Sequence, residues 1–319
     1  MNIKSVVVGM DIGGTNSVFG LVDENGAILA ENSLPTRNFP TAESFVSEIS
    51  VEIRNLVKSQ PNILLEGLGI GAPNGNYYNG CIEMAPNLQW KGIVPLARLF
   101  EDELHVKTVL TNDANAAALG EMIFGGAKYL RDFIVVTLGT GLGSGFVING
   151  ELVYGHDGFA GELGHVTIIP NGRICGCGRK GCLEAYVSAT GIVISAKEKL
   201  AETSIPSSLR NVKTDHITSQ LIAQHAEDGD KLALEILDYT AHLLGASLAN
   251  TVAITSPKKI FLFGGLAKAG ELILAPTKKY MEENLLNIFK DKVEILPSAI
   301  TDNVAILGAS ALIWKELRI

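Results

Sequence analysis

Cysteine is scarce, with four residues in 319, and the opening Met1-Asn2-Ile3-Lys4-Ser5 runs into a short apolar strand ending at Asp11, with no leader expected. A disulfide-built secreted domain is therefore not expected. No apolar run reaches the ~20 residues of a membrane-spanning helix. No membrane partner is expected, and the location read from the sequence is cytoplasmic. Basic residues do not predominate: 26 Lys and Arg stand against 34 Asp and Glu, with a formal net charge of -8 and a pI near 5.3. That balance argues against a nucleic-acid surface. Low-complexity segments are missing, so disorder is expected only in a short loop around Ser204 to Lys213. Apolar residues (47%) and glycine (34 residues) are plentiful, as in a soluble globular protein with many tight turns, and the length suits about two domains.

The few cysteines are concentrated. Three lie in Cys175-Gly176-Cys177-Gly178-Arg179-Lys180-Gly181-Cys182-Leu183-Glu184, and Gly161-Glu162-Leu163-Gly164-His165 ends ten residues before the first of them. Three thiols and one imidazole complete a tetrahedral Cys3His set for zinc. Free cysteines are often small buried hydrophobes. Here Gly176, Gly178 and Gly181 favour a chain wrapped around one ion, because such turns need positive φ between ligands. Cys175 and Cys177 are too close in sequence to pair well as a disulfide, and Cys81, standing alone, reads as an ordinary buried residue. Two interleaved glutamates, Glu162 and Glu184, are not needed by the metal. They point to a polar binding pocket arranged around it.

A second pattern is a repeat. Val6 to Met10 reads as a buried strand, Asp11-Ile12-Gly13-Gly14-Thr15-Asn16 as a turn, and Ser17 to Val22 as a returning strand; Asn25-Gly26 suggests a type I′ hairpin before Ala27 to Glu31. The same order recurs about 125 residues later. Phe133 to Thr137 is a strand, Leu138-Gly139-Thr140-Gly141-Leu142-Gly143 a turn, Ser144 to Ile148 a strand and Asn149-Gly150 a hairpin turn before Glu151 to Tyr154. Two such meanders indicate two homologous half-molecules. Glycine turns let backbone N–H groups approach an anion, and threonine adds a hydroxyl donor. Gly13, Gly14, Thr15 and Asn16, with Gly139, Thr140 and Gly141, are therefore candidate phosphate-binding residues. Asp11, ending a strand beside the first turn, is placed to hold Mg2+. A third turn, Phe263-Gly264-Gly265-Leu266-Ala267, follows the strand Lys259 to Phe263 and can cradle a nucleotide or serve packing alone. Val109 to Thr111 ends a strand and Ala114 to Phe124 reads as helix, so Asp113 by spacing alone would cap that helix. Residues 231–254 read as a long amphipathic helix, and Val304 to Leu317 as an alanine-rich one.

Taken together these blocks, with Ala85-Pro86-Asn87-Leu88 and Asn112-Asp113-Ala114-Asn115, resemble the ROK family (repressors, open reading frames and sugar kinases) along the whole chain, most of all its bacterial glucokinase-type members. The resemblance implies an α/β, two-domain actin-like ATPase (ribonuclease H-like) fold, a duplicated β-meander plus helices with a ligand cleft between domains. The small α/β domain is expected at 1–112 plus 305–319, and the large one, with the zinc site, at 113–304. It implies that Asp113 is the catalytic base in ATP-dependent phosphorylation of a hexose 6-hydroxyl, glucose first. Alternatives within the family are N-acetylmannosamine, N-acetylglucosamine, allose and fructose. Asn87, Asn112, Asp113, Glu162, His165 and Glu184 are implied as the sugar site, with His165 serving both zinc and sugar. Asn87 also reads as a simple Asx-turn residue after Pro86. Gly71-Ala72-Pro73-Asn74-Gly75 departs from the family's usual glycine directly after the proline, and the sugar contact is placed on Gly75. Cofactors and partners implied are ATP, Mg2+, structural Zn2+ and a second copy in a homodimer. Some relatives are sugar-responsive repressors with a winged helix ahead of the first glycine turn. Here Asp11 stands eleventh, and no room for one is expected.

Overall fold

The computed structural model describes residues 3–300 and 303–318. The chain forms β1 (Lys4–Ile12), β2 (Ser17–Asp23), β3 (Ile28–Leu34), α1 (Ala42–Ser59), β4 (Ile63–Gly71), β5 (Gly75–Asn76), β6 (Cys81–Glu83), β7 (Ile93–Val94), α2 (Leu96–Leu104), β8 (Lys107–Thr111) and α3 (Asp113–Ile123). Then come β9 (Phe133–Leu138), β10 (Leu142–Ile148), β11 (Glu151–Leu152), α4 (Ala189–Glu202), α5 (Ser219–Glu227), α6 (Lys231–Thr255), β12 (Lys259–Phe263), α7 (Glu271–Asn284), β13 (Glu294–Pro297) and α8 (Val304–Leu317). These elements make two compact units. The first takes Met1–Leu130, Leu152–Ala160 and Ala299–Ile319, and the second Arg131–Glu151 and Gly161–Ser298.

The first unit's main sheet runs β3-β2-β1-β4-β8, with β1, β4 and β8 parallel and β2 antiparallel to both neighbours. In the second unit the order is β11-β10-β9-β12-β13, again with β10 antiparallel to β9 and with β12 parallel to both β9 and β13. The two sheets share one topology, so the repeat seen in the sequence is a repeat of fold. β1 is buried on both faces, which is why it reads as a continuous apolar run. Val6, Val8, Met10 and Ile12 join Phe19, Phe45 and Phe100 in one core, while Val7 packs with Ile306, Ile313 and Trp314.

Helix α8 lies directly on that sheet. A Cβ on Gly9 would fall 2.0 Å from the Ile306 carbonyl oxygen, and one on Gly69 1.9 Å from that of Ala309. Only bare Cα positions in β1 and β4 admit the helix so close. Its other side meets α3, where a Cβ on Gly308 would fall 2.6 Å from the Ala116 carbonyl oxygen. This contact carries α3 and the chain to Leu130 into the first unit, so the break comes later than the expected residue 112. Residues 152–160 also belong there: Asn76 Nδ2 donates to the Asp157 carbonyl at 2.8 Å, and the Tyr77 and Tyr154 rings stack at 4.1 Å.

Two local expectations need correcting. Asn149 and Gly150 both have positive φ, +57° and +83°, as a type I′ turn requires, but at Asn25-Gly26 only the glycine does, at +85°. Asp23 closes that first turn instead, its Oδ1 accepting from the amides of Asn25 (2.9 Å) and Ala27 (2.8 Å). The β2–β3 register shifts by one residue after Leu21, the signature of a glycine bulge in place of a two-residue loop. The stretch from Ser204 to Lys213 is built, not loose. Arg210 donates to the carbonyls of Leu200, Thr203 and Ile205, and Ser207 and Ser208 donate to Asp230, the N-cap of α6. The expected helices at 231–254 and 304–317 form as Lys231–Thr255 and Val304–Leu317. Among the described residues, no helix is long and apolar enough to cross a membrane.

Candidate active site

The candidate residues fall in two groups, one on each unit. In the first unit the parallel strands β1, β4 and β8 end side by side: Asp11 pairs with Gly71, and Gly71 with Thr111. Ligands of open α/β sheets collect at such carboxyl ends. Asp113 follows two residues after Thr111. A Cβ on Gly71 would stand 3.5 Å from Asp11 Oδ1 and 3.6 Å from Asp113 Cα, so glycine there leaves one corner open to both carboxyl-bearing residues. Gly71 was not singled out in the sequence; only the register across three strands reveals it.

The electrostatics of the corner are unusual. Burial, and then the neighbouring charge of Asp113, push the Asp11 carboxyl up to about 7. Protein crowding also raises Asp113, against the Ala114 amide that donates to its Oδ1 at 2.9 Å. Asp113 is nevertheless exposed to solvent. The helix does not consume Asp113 as its cap. Asn112 caps α3, accepting from the Asn115 amide at 2.7 Å, and this leaves Asp113 at the first helical position. The capping suggested by spacing thus moves one residue earlier, and Asn112 has a structural duty whatever it binds.

The first glycine turn is closed by the Gly13 amide donating to the Asn16 carbonyl at 3.0 Å, with Thr15 and Asn16 exposed. Gly14 rests on Asn87, where a Cβ would fall 2.5 Å from the Asn87 carbonyl oxygen. The structure thus brings Asn87 beside this turn. Gly75 is different. It is buried, its amide donates to Ala72, and a Cβ would fall 2.4 Å from the Thr111 carbonyl oxygen, so packing alone accounts for the glycine.

In the second unit His165, Cys175, Cys177 and Cys182 converge, their ligand atoms all within 4.8 Å of one another. The Sγ atoms of Cys177 and Cys182 stand 3.8 Å apart, and Cys175 Sγ is 3.6 Å from His165 Nδ1. A tetrahedron with Zn–S bonds of about 2.3 Å and a Zn–N bond of about 2.0 Å has edges of roughly 3.8 and 3.5 Å. The donor set therefore fits zinc. Burial pushes the Cys175 thiol up to about 12, so at neutral pH this thiol ionises only with a cation beside it. With Nδ1 turned to the thiols, His165 Nε2 points the other way, 3.9 Å from Glu162 Oε2.

Glu184 lies between this cluster and the second glycine turn. Its Oε2 accepts from the Leu142 amide at 2.9 Å, and Oε1 is 3.5 Å from Cys175 Sγ. Gly141 presses against it, since a Cβ there would fall 2.3 Å from Oε2. The turn is held from another side by the start of α4. The Ala189 amide donates to the Gly139 carbonyl at 2.8 Å, and Thr190 Oγ1 to that of Thr140 at 2.9 Å. Ser188 and Thr190 carried no distance-independent signal beyond the N-cap that Ser188 makes with Gly191. The third turn is adjacent: Phe263 pairs with Thr137, and Gly264, at φ +108°, packs on the Leu138 carbonyl, with Gly265 exposed.

The ROK family model matches residues 7–316. A glucokinase of Halalkalibacterium halodurans is 33% identical over 316 residues, covering 97% of this chain and 95% of that protein. A xylose repressor of Caldicellulosiruptor bescii is 29% identical, covering 98% of this chain and 78% of the repressor. Among solved structures, a ROK family glucokinase from Streptomyces griseus in complex with glucose and AMPPNP superposes with a TM-score of 0.80 at 33% identity, covering 96% of this chain and 98% of that one. With its strand order duplicated, its Cys3His cluster assembled and its length matched nearly end to end, this chain belongs to the ROK family.

Proposed function

We propose that this protein is an ATP-dependent hexose kinase that phosphorylates the 6-hydroxyl of glucose. The observation that carries the reading is the corner where Asp11 and Asp113 flank Gly71 at the ends of parallel strands, next to an exposed glycine turn. Asp113, free of capping duty and lifted above the ordinary carboxylate range, is suited to take the hydroxyl proton as the sugar oxygen attacks the γ-phosphorus; ADP is the leaving group. Asp11 would hold Mg2+, which neutralises charge on the phosphate oxygens. The turns at Gly13–Asn16 and Gly139–Gly141, with Gly264 and Gly265, would receive the nucleotide. Asn87, Asn112, Glu162, His165 and Glu184 would bind the sugar hydroxyls.

His165, Cys175, Cys177 and Cys182 would hold zinc. Protein would fill all four of its positions, leaving no place for a catalytic water. The metal would order His165 Nε2 and Glu162 toward the hexose. Glucose as substrate rests on the two glucokinases similar to this chain. N-acetylmannosamine, N-acetylglucosamine, allose and fructose are the alternatives. A sugar-responsive repressor is the second reading, favoured by the xylose repressor match but opposed by the charge of -8. A cytoplasmic homodimer with no nucleic-acid partner completes the proposal.

The test is ADP release, coupled to a reporter enzyme, across those five hexoses with Mg·ATP. Turnover highest on glucose supports the reading. Sugar binding without ADP release from any hexose would sink it in favour of a sensor.

A further inference from the structure

We propose that Glu184 is a positioning residue through which the Cys3His cluster sets the second glycine turn, so that metal loading governs nucleotide binding as well as sugar binding. The inference rests on the reading that Gly139–Gly141 receives nucleotide phosphate. A zinc site that served only the sugar would leave this turn to the sheet that flanks it. Instead the turn is gripped by the segment that ends the metal loop. Cys182 belongs to the Cys3His donor set, and two residues later Glu184 accepts from the Leu142 amide while its other oxygen lies against Cys175 Sγ. Its backbone is drawn into the same arrangement: Ser188 Oγ donates to the Glu184 carbonyl, and the next two residues bond the carbonyls of Gly139 and Thr140.

Gly141 shows how close the fit is, because any Cβ there would collide with the Glu184 carboxylate. The side chain is therefore wedged between the Cys175 thiol and the turn. Arg173, two residues before the first cysteine, braces the same segment from behind, donating to the carbonyls of Ala185 (3.0 Å) and Gly191 (3.3 Å). A loop with this little regular structure keeps such an arrangement only if something fixes its ligands, and four bonds to one ion do that. Without the ion Glu184 would lose its fixed position, and with it the amide of Leu142.

The experiment compares purified, zinc-quantified wild type with Glu184→Asp, Glu184→Gln, Gly141→Ala and Cys177→Ser. It reads Mg·AMPPNP affinity by calorimetry and amide exchange at Leu142 by NMR. Aspartate is one methylene too short to reach the Leu142 amide, whereas glutamine keeps a carbonyl that can accept from it. Glu184→Asp with full zinc should bind AMPPNP about tenfold more weakly, and Leu142 should exchange at least about tenfold faster. Glu184→Gln should restore both to within about threefold even where hexose affinity falls. Gly141→Ala displaces the carboxylate without changing its chemistry and should repeat the aspartate result, so misfolding of one variant does not decide the matter. Zinc-free Cys177→Ser should match it too. Wild-type AMPPNP affinity and Leu142 protection in both Glu184→Asp and zinc-free protein would overturn the proposal. A wild type that binds no AMPPNP while Leu142 still responds would mean that the kinase reading has failed and the coupling has not.

Discussion

The two units share one sheet topology and hold their candidate chemistry in opposite ways. In the first, Asp11 and Asp113 are fixed by regular structure: three strand ends in register, a capped helix, and α8 seated on glycines. In the second, Glu162, His165 and Glu184 sit on loops and single 3-10 turns, beside the convergent side chains of His165, Cys175, Cys177 and Cys182, which under the proposed function would do what the sheet does elsewhere. Side chains on regular elements inherit precision from the backbone ladder, and those on loops must be tied by other means. The lesson is that a duplicated fold need not duplicate its method of positioning.

Breaking the first unit's chemistry should give the largest effect. Asp113→Asn preserves size and leaves the Asn112 cap intact, and kcat should fall roughly 10²–10⁴-fold with hexose affinity nearly kept. Wild-type turnover in that variant would reduce Asp113 to a residue of the first helical turn. Next comes the second unit's tie. Cys177→Ser should lose one zinc per chain by elemental analysis and weaken hexose binding about 10–100-fold, as loss of ligand order does at other metal sites. Full hexose affinity in verified zinc-free protein would show that packing alone orders the loop and would erase the contrast between units.

A smaller effect tests the sheet side. Gly69→Ala puts a methyl 1.9 Å from the Ala309 carbonyl oxygen, and forcing α8 outward should cost about 1–3 kcal/mol in denaturant unfolding, with zinc content unchanged. If zinc were lost with it, the two methods of positioning would not be independent. The smallest expected effect is a pH dependence. The folded-state Asp11 carboxyl sits near 7 against an ordinary 3.8, so between those values the folded protein binds the more protons. This group's contribution to stability therefore falls as pH rises from about 4 to about 7, and Asp113 is shifted in the same direction. Metal-free Asp11→Asn should lose less of its thermal midpoint than wild type between pH 5 and pH 8, by a few degrees. An identical loss in both proteins would mean that Asp11 ionises as it would in water.

Much of this was legible because local chemistry and global fold agree. Val6 to Met10 reads as a buried strand since nothing polar interrupts it, and Val304 to Leu317 as a helix since its alanines and leucines repeat at helical spacing. The cluster at Cys175, Cys177 and Cys182 was legible from ligand type and intervening glycines, without any knowledge of distance, although of those glycines Gly178 and Gly181 take positive φ and Gly176 does not. Other features were not. Asp113 looked like a cap because Asp and Asn are both good caps, and only the φ/ψ of Asn112 shows which of them the helix begins on. Asn25-Gly26 carries the strongest two-residue hairpin signal, yet Asp23 supplied a competing acceptor that drew the turn wider.

By itself the sequence determined the order of elements, the duplication and the Cys3His donor set, and it singled out the residues proposed for acid–base and phosphate chemistry. These depend on composition and periodicity, which are local. Tertiary structure alone decided that Gly71 opens a corner to two aspartates, that Gly9 and Gly69 are glycines because α8 lies on them, and that Glu184 joins the Cys3His cluster to the second glycine turn. Each of these joins residues tens to hundreds of positions apart. Their meaning lies in a distance between backbones, and no single residue's chemistry encodes that.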